Sequence, residues 1–169
     1  MIQIYTGNGK GKTTAALGLA LRAVGHGKNV IIIQFMKGKI NYGELKAAKY
    51  LKNLKIEQYG RPDFVDRNNP AKIDIELARK GFKKAKAIIK SKKYDIVILD
   101  ELNVAIDYGL VQLNEIVELL KTIPIKIELV ITGRYMPQEL LEYADLVSEI
   151  CEIKHYFQKG IKARKGIEY

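Results

Sequence analysis

The sequence predicts an α/β fold: one domain, residues 1–169, with a mostly parallel central sheet flanked by helices. Three observations carry that expectation. Short β-branched runs alternate with helical periodicities along the whole chain, the pattern of strands joined by crossover helices. The glycine-rich stretch TGNGKGKTT, residues 6–14, directly follows the strand-like IQIY and opens a helix. The apolar run IVIL ends on two acids, Asp100 and Glu101. In open parallel sheets ligands bind beyond the carboxyl ends of the strands, and both polar stretches fall there.

Taken in order, Ile2–Tyr5 reads as a strand, and Lys12–Val24 as a helix stopped by the glycines of Gly25-His26-Gly27. Asn29–Phe35 (NVIIIQF) is short and β-branched enough for a buried strand. A helix fits Gly43–Leu51 and a strand Leu54–Gln58. Tyr59–Pro70 holds two prolines, a glycine and two asparagines, and reads as a loop. Lys72–Lys90 follows as a helix, then strand Asp95–Leu99, helix Val111–Leu120 and strand Lys126–Ile131. A helix near Pro137–Tyr143 and a strand Leu146–Ile153 precede a basic, glycine-punctuated tail from Lys154. No internal repeat or linker divides the chain.

Composition narrows the class. A length of 169 residues supports one domain with a real core, not two comfortable ones. The single cysteine, Cys151, excludes a disulfide framework within a monomer, and no CxxC suggests zinc. No apolar signal core opens the chain and no run is long enough to span a membrane, so a cytoplasmic protein is expected. The net charge of +10 suits anionic partners such as nucleotides. Much of it, however, lies on the helix of Lys80, Lys83, Lys84, Lys86 and Lys90, whose Leu77, Gly81, Ala85 and Ile88 recur at core-facing spacing. Those lysines read as a solvated face. Without aromatics interleaved among basic residues, nucleic-acid stacking has little support.

TGNGKGKTT has the parts of a phosphate cradle. Successive backbone N–H groups of such a loop can face phosphate oxygens, and the helix N-terminus adds free donors and partial positive charge. Lys12 can reach the phosphates, the Thr13 hydroxyl can join the shell of Mg²⁺, and Asn8 and Lys10 supply further donors. The usual spacing is G-x-x-x-x-G-K-[ST]; here Thr6 holds the first glycine's place, with Gly7 beside it. Asp100, after its buried strand, completes the second half of a P-loop NTPase-like (RecA-like) site, because hard magnesium takes oxygen ligands. The bland alternative is an aspartate capping the next helix. Thr132-Gly133-Arg134 ends another strand at the same edge; Arg134 is either a phosphate or carboxylate ligand or a surface arginine in a turn.

These parts serve kinases, hydrolases, motors and transferases alike. More specific are TGNGKGKTTAALGLALRAVGHG, VIIIQFMKG, ILDELN, VITGR and the closing HYFQKGIKARKGIEY, in that order. Together they resemble the P-loop family of ATP:cob(I)alamin (corrinoid) adenosyltransferases. The resemblance implies transfer of the 5′-deoxyadenosyl group of ATP to cobalt(I) of a corrinoid, with triphosphate leaving intact. It implies that Gly7, Asn8, Gly9, Lys10, Gly11, Lys12, Thr13 and Thr14 hold the triphosphate. Asp100 or Glu101, with Thr13, would place Mg²⁺, and Lys12, Thr13 and Glu101 would serve the transfer.

By the same resemblance, Arg134 and His155 lie near a ligand, and Phe64 in the loop after the third strand is the candidate for the corrinoid face. His26, in a helix-ending turn, reads as structural. Small-molecule ATP and corrinoid are the expected partners, with a flavoprotein reductant, a homodimer, and neither nucleic acid nor membrane. The chain lacks the tryptophan that some family members carry in that loop, and it starts almost at the first strand, so a cover that some members form from an N-terminal segment is expected to be absent or to come from elsewhere. The alternatives are a RecA-like ATPase acting on nucleic acid, a small-molecule kinase and a regulatory nucleotide-binding module without catalysis. The first lacks an obvious strand-binding element, the second an arginine-rich lid.

Overall fold

A computed structural model describes residues 1–38 and 42–169. Six strands form one sheet in the order β3-β2-β4-β5-β1-β6: β1 Ile2–Thr6, β2 Val30–Phe35, β3 Leu54–Tyr59, β4 Ile96–Asp100, β5 Glu128–Thr132 and β6 Leu146–Glu149. Every pairing is parallel, so all the strands end at the same edge. The helices are α1 Lys12–Gly25, α2 Gly43–Ala47, α3 Lys72–Ser91, α4 Leu102–Asp107 and α5 Leu113–Leu120.

The side-chain period of two explains why the central strands read as unbroken apolar runs: both faces are covered. Ile31, Ile33 and Phe35 of β2 join Val97, Leu99, Leu129 and Ile131 under Ala78, Phe82, Ala85 and Ile88 of α3. Val30 and Ile32, with Ile98 and Val130, face Ala16, Ala20 and Ala23 of α1. That row of alanines lets α1 lie close against the sheet, and it fixes the loop at the helix's start. On α3, Lys80, Lys83, Lys84, Lys86 and Lys90 are all exposed, the solvated face that the periodicity predicts.

Four expectations change. The predicted helix Gly43–Leu51 is α2 followed by a 3₁₀ turn at Ala48–Tyr50. Pro137–Tyr143 is a 3₁₀ segment, Gln138–Tyr143. A short helix, α4, follows β4 where none was predicted. The last strand stops at Glu149 rather than Ile153, because the chain turns there to pack on the loop after β1: Ile150 donates its N–H to the Thr6 carbonyl and accepts from Gly9 at 2.7 Å.

Candidate active site

The glycine-rich loop crosses from β1 to α1 at the carboxyl edge of the sheet. Gly7 has φ +96°, and a Cβ on it would meet the Ile150 carbonyl oxygen at 2.5 Å; one on Gly9 would meet that of Cys151 at 2.7 Å. The loop therefore needs glycine to lie backbone to backbone on the segment after β6. Its Gly9 N–H is engaged by Ile150, so that amide does not join an inward-facing ring as the sequence suggested. Gly11 precedes α1 with no side-chain cap and no acidic residue in the first turn. The first amides of α1 thus face the cleft with their partial positive charge unopposed, a seat for an anion.

Lys12 is only 7% exposed. Its ammonium donates to the carbonyls of Gly7 at 2.7 Å and Gly9 at 2.6 Å, which draws the loop around it, and burial pulls its pKa down. Thr13 donates its hydroxyl to Asp100 Oδ1 at 2.8 Å. Asp100 is fully buried. It also accepts from Thr132 at 2.8 Å on Oδ1, and from Lys37 at 2.8 Å and Gln34 at 3.2 Å on Oδ2. The strands account for this convergence: β4 has β2 on one side and β5 on the other, so Gln34 pairs with Asp100 in register and Thr132 closes the other flank.

Glu101 has φ +62°, a left-handed conformation that is strained for a residue with a side chain. Its N–H donates to the Thr132 hydroxyl at 3.0 Å. Burial, and then the neighbouring Asp100, raise its pKa, against the lowering effect of Lys37, Lys12 and Arg134. The Lys37 ammonium is pulled down by burial, but the charge and hydrogen bond of Asp100 outweigh that and hold it above its usual value.

These groups open into a cleft of about 750 Å³ lined by loop and helix residues from Gly9 to Thr14, by Lys37, Tyr42, Glu101, Tyr108, Arg134, Tyr135 and His155, and by the C-terminal Gly166–Tyr169. Arg134 and His155 line this cleft; His155 also accepts the Phe157 N–H through Nδ1 at 3.1 Å. Gly7 and the exposed Asn8 belong to the loop but not to the lining. Lys10 does not point freely into solvent: its ammonium meets Glu168 at 2.8 Å and the Tyr156 hydroxyl at 2.7 Å. Phe64 is not brought to the cleft; it is fully exposed in the loop after β3. Sequence reasoning missed Lys37 and the tyrosines 42, 108 and 135. Lys37 was findable, because it lies just past the end of a buried strand at the edge where ligands bind.

Thr13 and Asp100 offer only oxygen and sit in contact, which suits a hard divalent cation. Among the described residues no group of three or more His, Cys, Asp or Glu could hold a metal alone. An all-parallel sheet, a glycine-rich loop at a helix start and a buried acid bonded to the threonine after that loop define a P-loop NTPase-like fold. The whole chain, residues 1–169, matches the family described as ATP:corrinoid adenosyltransferase BtuR/CobO/CobP. It is 39% identical over 175 residues to a corrinoid adenosyltransferase of Escherichia coli K12, covering 100% of this chain and 85% of the relative. It is 38% identical to that of Salmonella typhimurium LT2 with the same coverage, and 36% identical to one of Sinorhizobium, of which 80% is covered. The chain belongs to the ATP:corrinoid adenosyltransferase family, enzymes that transfer the adenosyl group of ATP to a corrinoid. Nothing in these similarities favours the ATPase or kinase alternatives.

Proposed function

We propose that the 169 residues act as one domain in which the loop from Gly7 to Thr14 holds the triphosphate of ATP while the corrinoid approaches from the side of the loop after β3. The observation that carries this is the uncapped start of α1, beside a buried lysine and a threonine-bonded aspartate. Cobalt(I) is a strong nucleophile, so the protein needs no base. Its tasks are to align C5′ with cobalt and to stabilise charge gathering on the departing triphosphate. Lys12, the α1 amides and Arg134 serve the second task, with Lys10 at the rim. Mg²⁺, when bound, supplies further positive charge there; Thr13 and Asp100 would hold it, with Glu101 beside them.

Phe64 would face the corrinoid only after its loop closes toward the cleft, and His155 borders the ligand through the cleft wall. A flavoprotein as reductant, a homodimer and a cytoplasmic setting belong to the same reading, for adenosylcobalamin synthesis or salvage. Among the described residues no helix is long and apolar enough to cross a membrane.

The test is anaerobic incubation with ATP, Mg²⁺ and chemically reduced corrinoid, following the corrinoid spectrum and the phosphate product. Corrinoid-dependent release of intact triphosphate is expected. Rapid release of orthophosphate without corrinoid would return the ATPase reading.

A further inference from the structure

Among the described residues Asp100 is the acid bonded to Thr13, yet its carboxylate is already fully used. A carboxylate offers about four lone-pair sites. Asp100 accepts from Thr13 and Thr132 on one oxygen and from Lys37 and Gln34 on the other. A divalent ion brought to this carboxylate meets no free lone pair, and an ammonium 2.8 Å from the oxygen it would approach. Three of the four donors are neutral. Lys37 is the only one whose departure removes a repelling charge.

Lys37 is also the donor best placed to leave. Its backbone is locked. Met36 has φ +57° and donates its N–H to the Tyr59 carbonyl at 3.1 Å. Gly38 and Gly60 pack so tightly that a Cβ on Gly38 would collide with the Gly60 carbonyl, and one on Gly60 with the Lys37 amide. Only the four-carbon side chain can swing, and it lines the same cleft as Lys12, Thr13 and Arg134. The Tyr42 ring, 5.4 Å from the ammonium, offers it an electron-rich face on the way.

We propose that Lys37 is a transferable counter-ion: it neutralises Asp100 in the nucleotide-free protein and moves to the phosphates when Mg²⁺ and triphosphate arrive together. This rests on the cleft being the triphosphate site. Magnesium alone would have to expel the lysine into a cleft already holding Lys12 and Arg134. Magnesium with a polyphosphate gives the displaced ammonium new anionic acceptors. Lys37 thereby makes metal and nucleotide bind as a coupled pair and adds a cation where charge develops on the leaving group.

The experiment uses the full chain and no corrinoid. Mn²⁺ alone is titrated into wild type and Lys37→Met and read by paramagnetic resonance; inorganic triphosphate is titrated by calorimetry with and without Mg²⁺. Lys37→Met should bind Mn²⁺ alone at least about tenfold more tightly, and triphosphate in the presence of Mg²⁺ about ten- to hundredfold more weakly, the effect of losing one charge-assisted contact. Lys37→Arg should stay near wild type in both. An unchanged affinity for either probe in folded Lys37→Met overturns the proposal. Should that variant not fold, ¹⁵N spectra of the wild-type lysine ammonium groups decide. The Lys37 signal must move when Mg²⁺ and triphosphate are added together and stay when Mg²⁺ is added alone; any other response overturns the proposal. Triphosphate that fails to bind wild type would overturn the reading of the cleft as well. Equal triphosphate binding to wild type and Lys37→Met removes only the role of Lys37.

Discussion

The two sides of the cleft are held in different ways. On the phosphate side each polar group stands at the end of a buried strand or the start of α1. Asp100 is bonded from β2, β5 and α1, and Lys12 is clasped by its own loop. On the other side, the loop after β3 is tied at its ends by Arg61 to Asp74 at 2.7 and 2.8 Å and by Arg67 to Asp107 at 3.0 Å. Arg67 also lies over the Tyr135 ring at 4.9 Å. Between those ties Phe64 stands wholly in solvent. A sheet edge can preform a phosphate site because its geometry is fixed by the core. The loop after β3 is held instead by side-chain ion pairs at its two ends, and between them Phe64 has no support from the core.

The strongest way to break this contrast is on the rigid side. Lys12→Ala removes a charge-assisted phosphate contact of about 1.5–3 kcal/mol, so adenosyl transfer should fall by one to two orders of magnitude or more. It also leaves the Gly7 and Gly9 carbonyls to water. The fold should persist, because Lys12 touches the loop and not the apolar core, with thermal unfolding lowered modestly. A near-normal rate, together with normal stabilisation by ATP and Mg²⁺, would mean the loop does not hold the triphosphate.

Glu101→Gln sharpens the contrast by separating stability from function. Because burial and Asp100 raise the Glu101 pKa in the folded chain, the folded state binds more protons than the unfolded one between the two pKa values. Stability is therefore fullest below the unfolded value and falls as pH rises through the raised one. At neutral pH the amide should raise the melting temperature, while transfer falls. The gain should vanish below the unfolded carboxylate pKa. An equal gain at every pH would show that the ionised carboxylate is not the source of the cost.

The same contrast explains what was legible in the sequence. That the glycine-rich loop, Asp100 and Arg134 lie at one edge of the sheet could be read, because strand ends are marked by apolar runs and parallel strands end together. Helix α4 was hidden, since six residues are too few for periodicity to show and Glu101 enters it through a left-handed backbone conformation. The reach of the C-terminal residues into the cleft was hidden too: their contacts are polar and lie more than a hundred residues from their partners. Nothing local in Phe64 told whether it faces solvent or ligand.

On the exposed side of the comparison, Phe64→Ala should be nearly neutral for stability, the side chain being fully exposed. If the loop closes over the corrinoid, the loss should be several-fold when the assay starts from cobalt(II) with a reductant, and smaller with preformed cobalt(I). The reason is that an aromatic wall matters most while an axial ligand is displaced before reduction. Equal rates for variant and wild type in both assays would leave Phe64 no part in the site.

The smallest effect is expected at the seam between the two sides, where Lys10 meets the tail. Its ammonium contacts Glu168 at 2.8 Å, the Tyr156 hydroxyl at 2.7 Å and the Ile167 carbonyl at 3.2 Å. The hydrogen bonds from Lys10 and Tyr156 hold the Glu168 carboxyl well below the usual carboxylate range. A lowered carboxyl pKa adds stability above the unfolded value and loses it only as pH falls through the folded one, so the contact should survive mild acid. It is exposed, however, and salt should weaken it. Two variants separate its possible roles. Lys10→Ala removes the cation from both tail and phosphate; Glu168→Gln frees the tail's hold yet leaves Lys10 for the nucleotide. A Lys10 that serves the triphosphate makes ATP bind about two- to fivefold more weakly in the first variant, the range of a screened surface charge, and no more weakly than wild type in the second. A Lys10 that only latches the tail makes the two variants alike, in ATP affinity and in tail cleavage by limited proteolysis. The first outcome is expected, because Lys10 lies in the loop that lines the cleft beside Lys12 and Thr13, and a triphosphate carries more charge than one glutamate with which to draw it away.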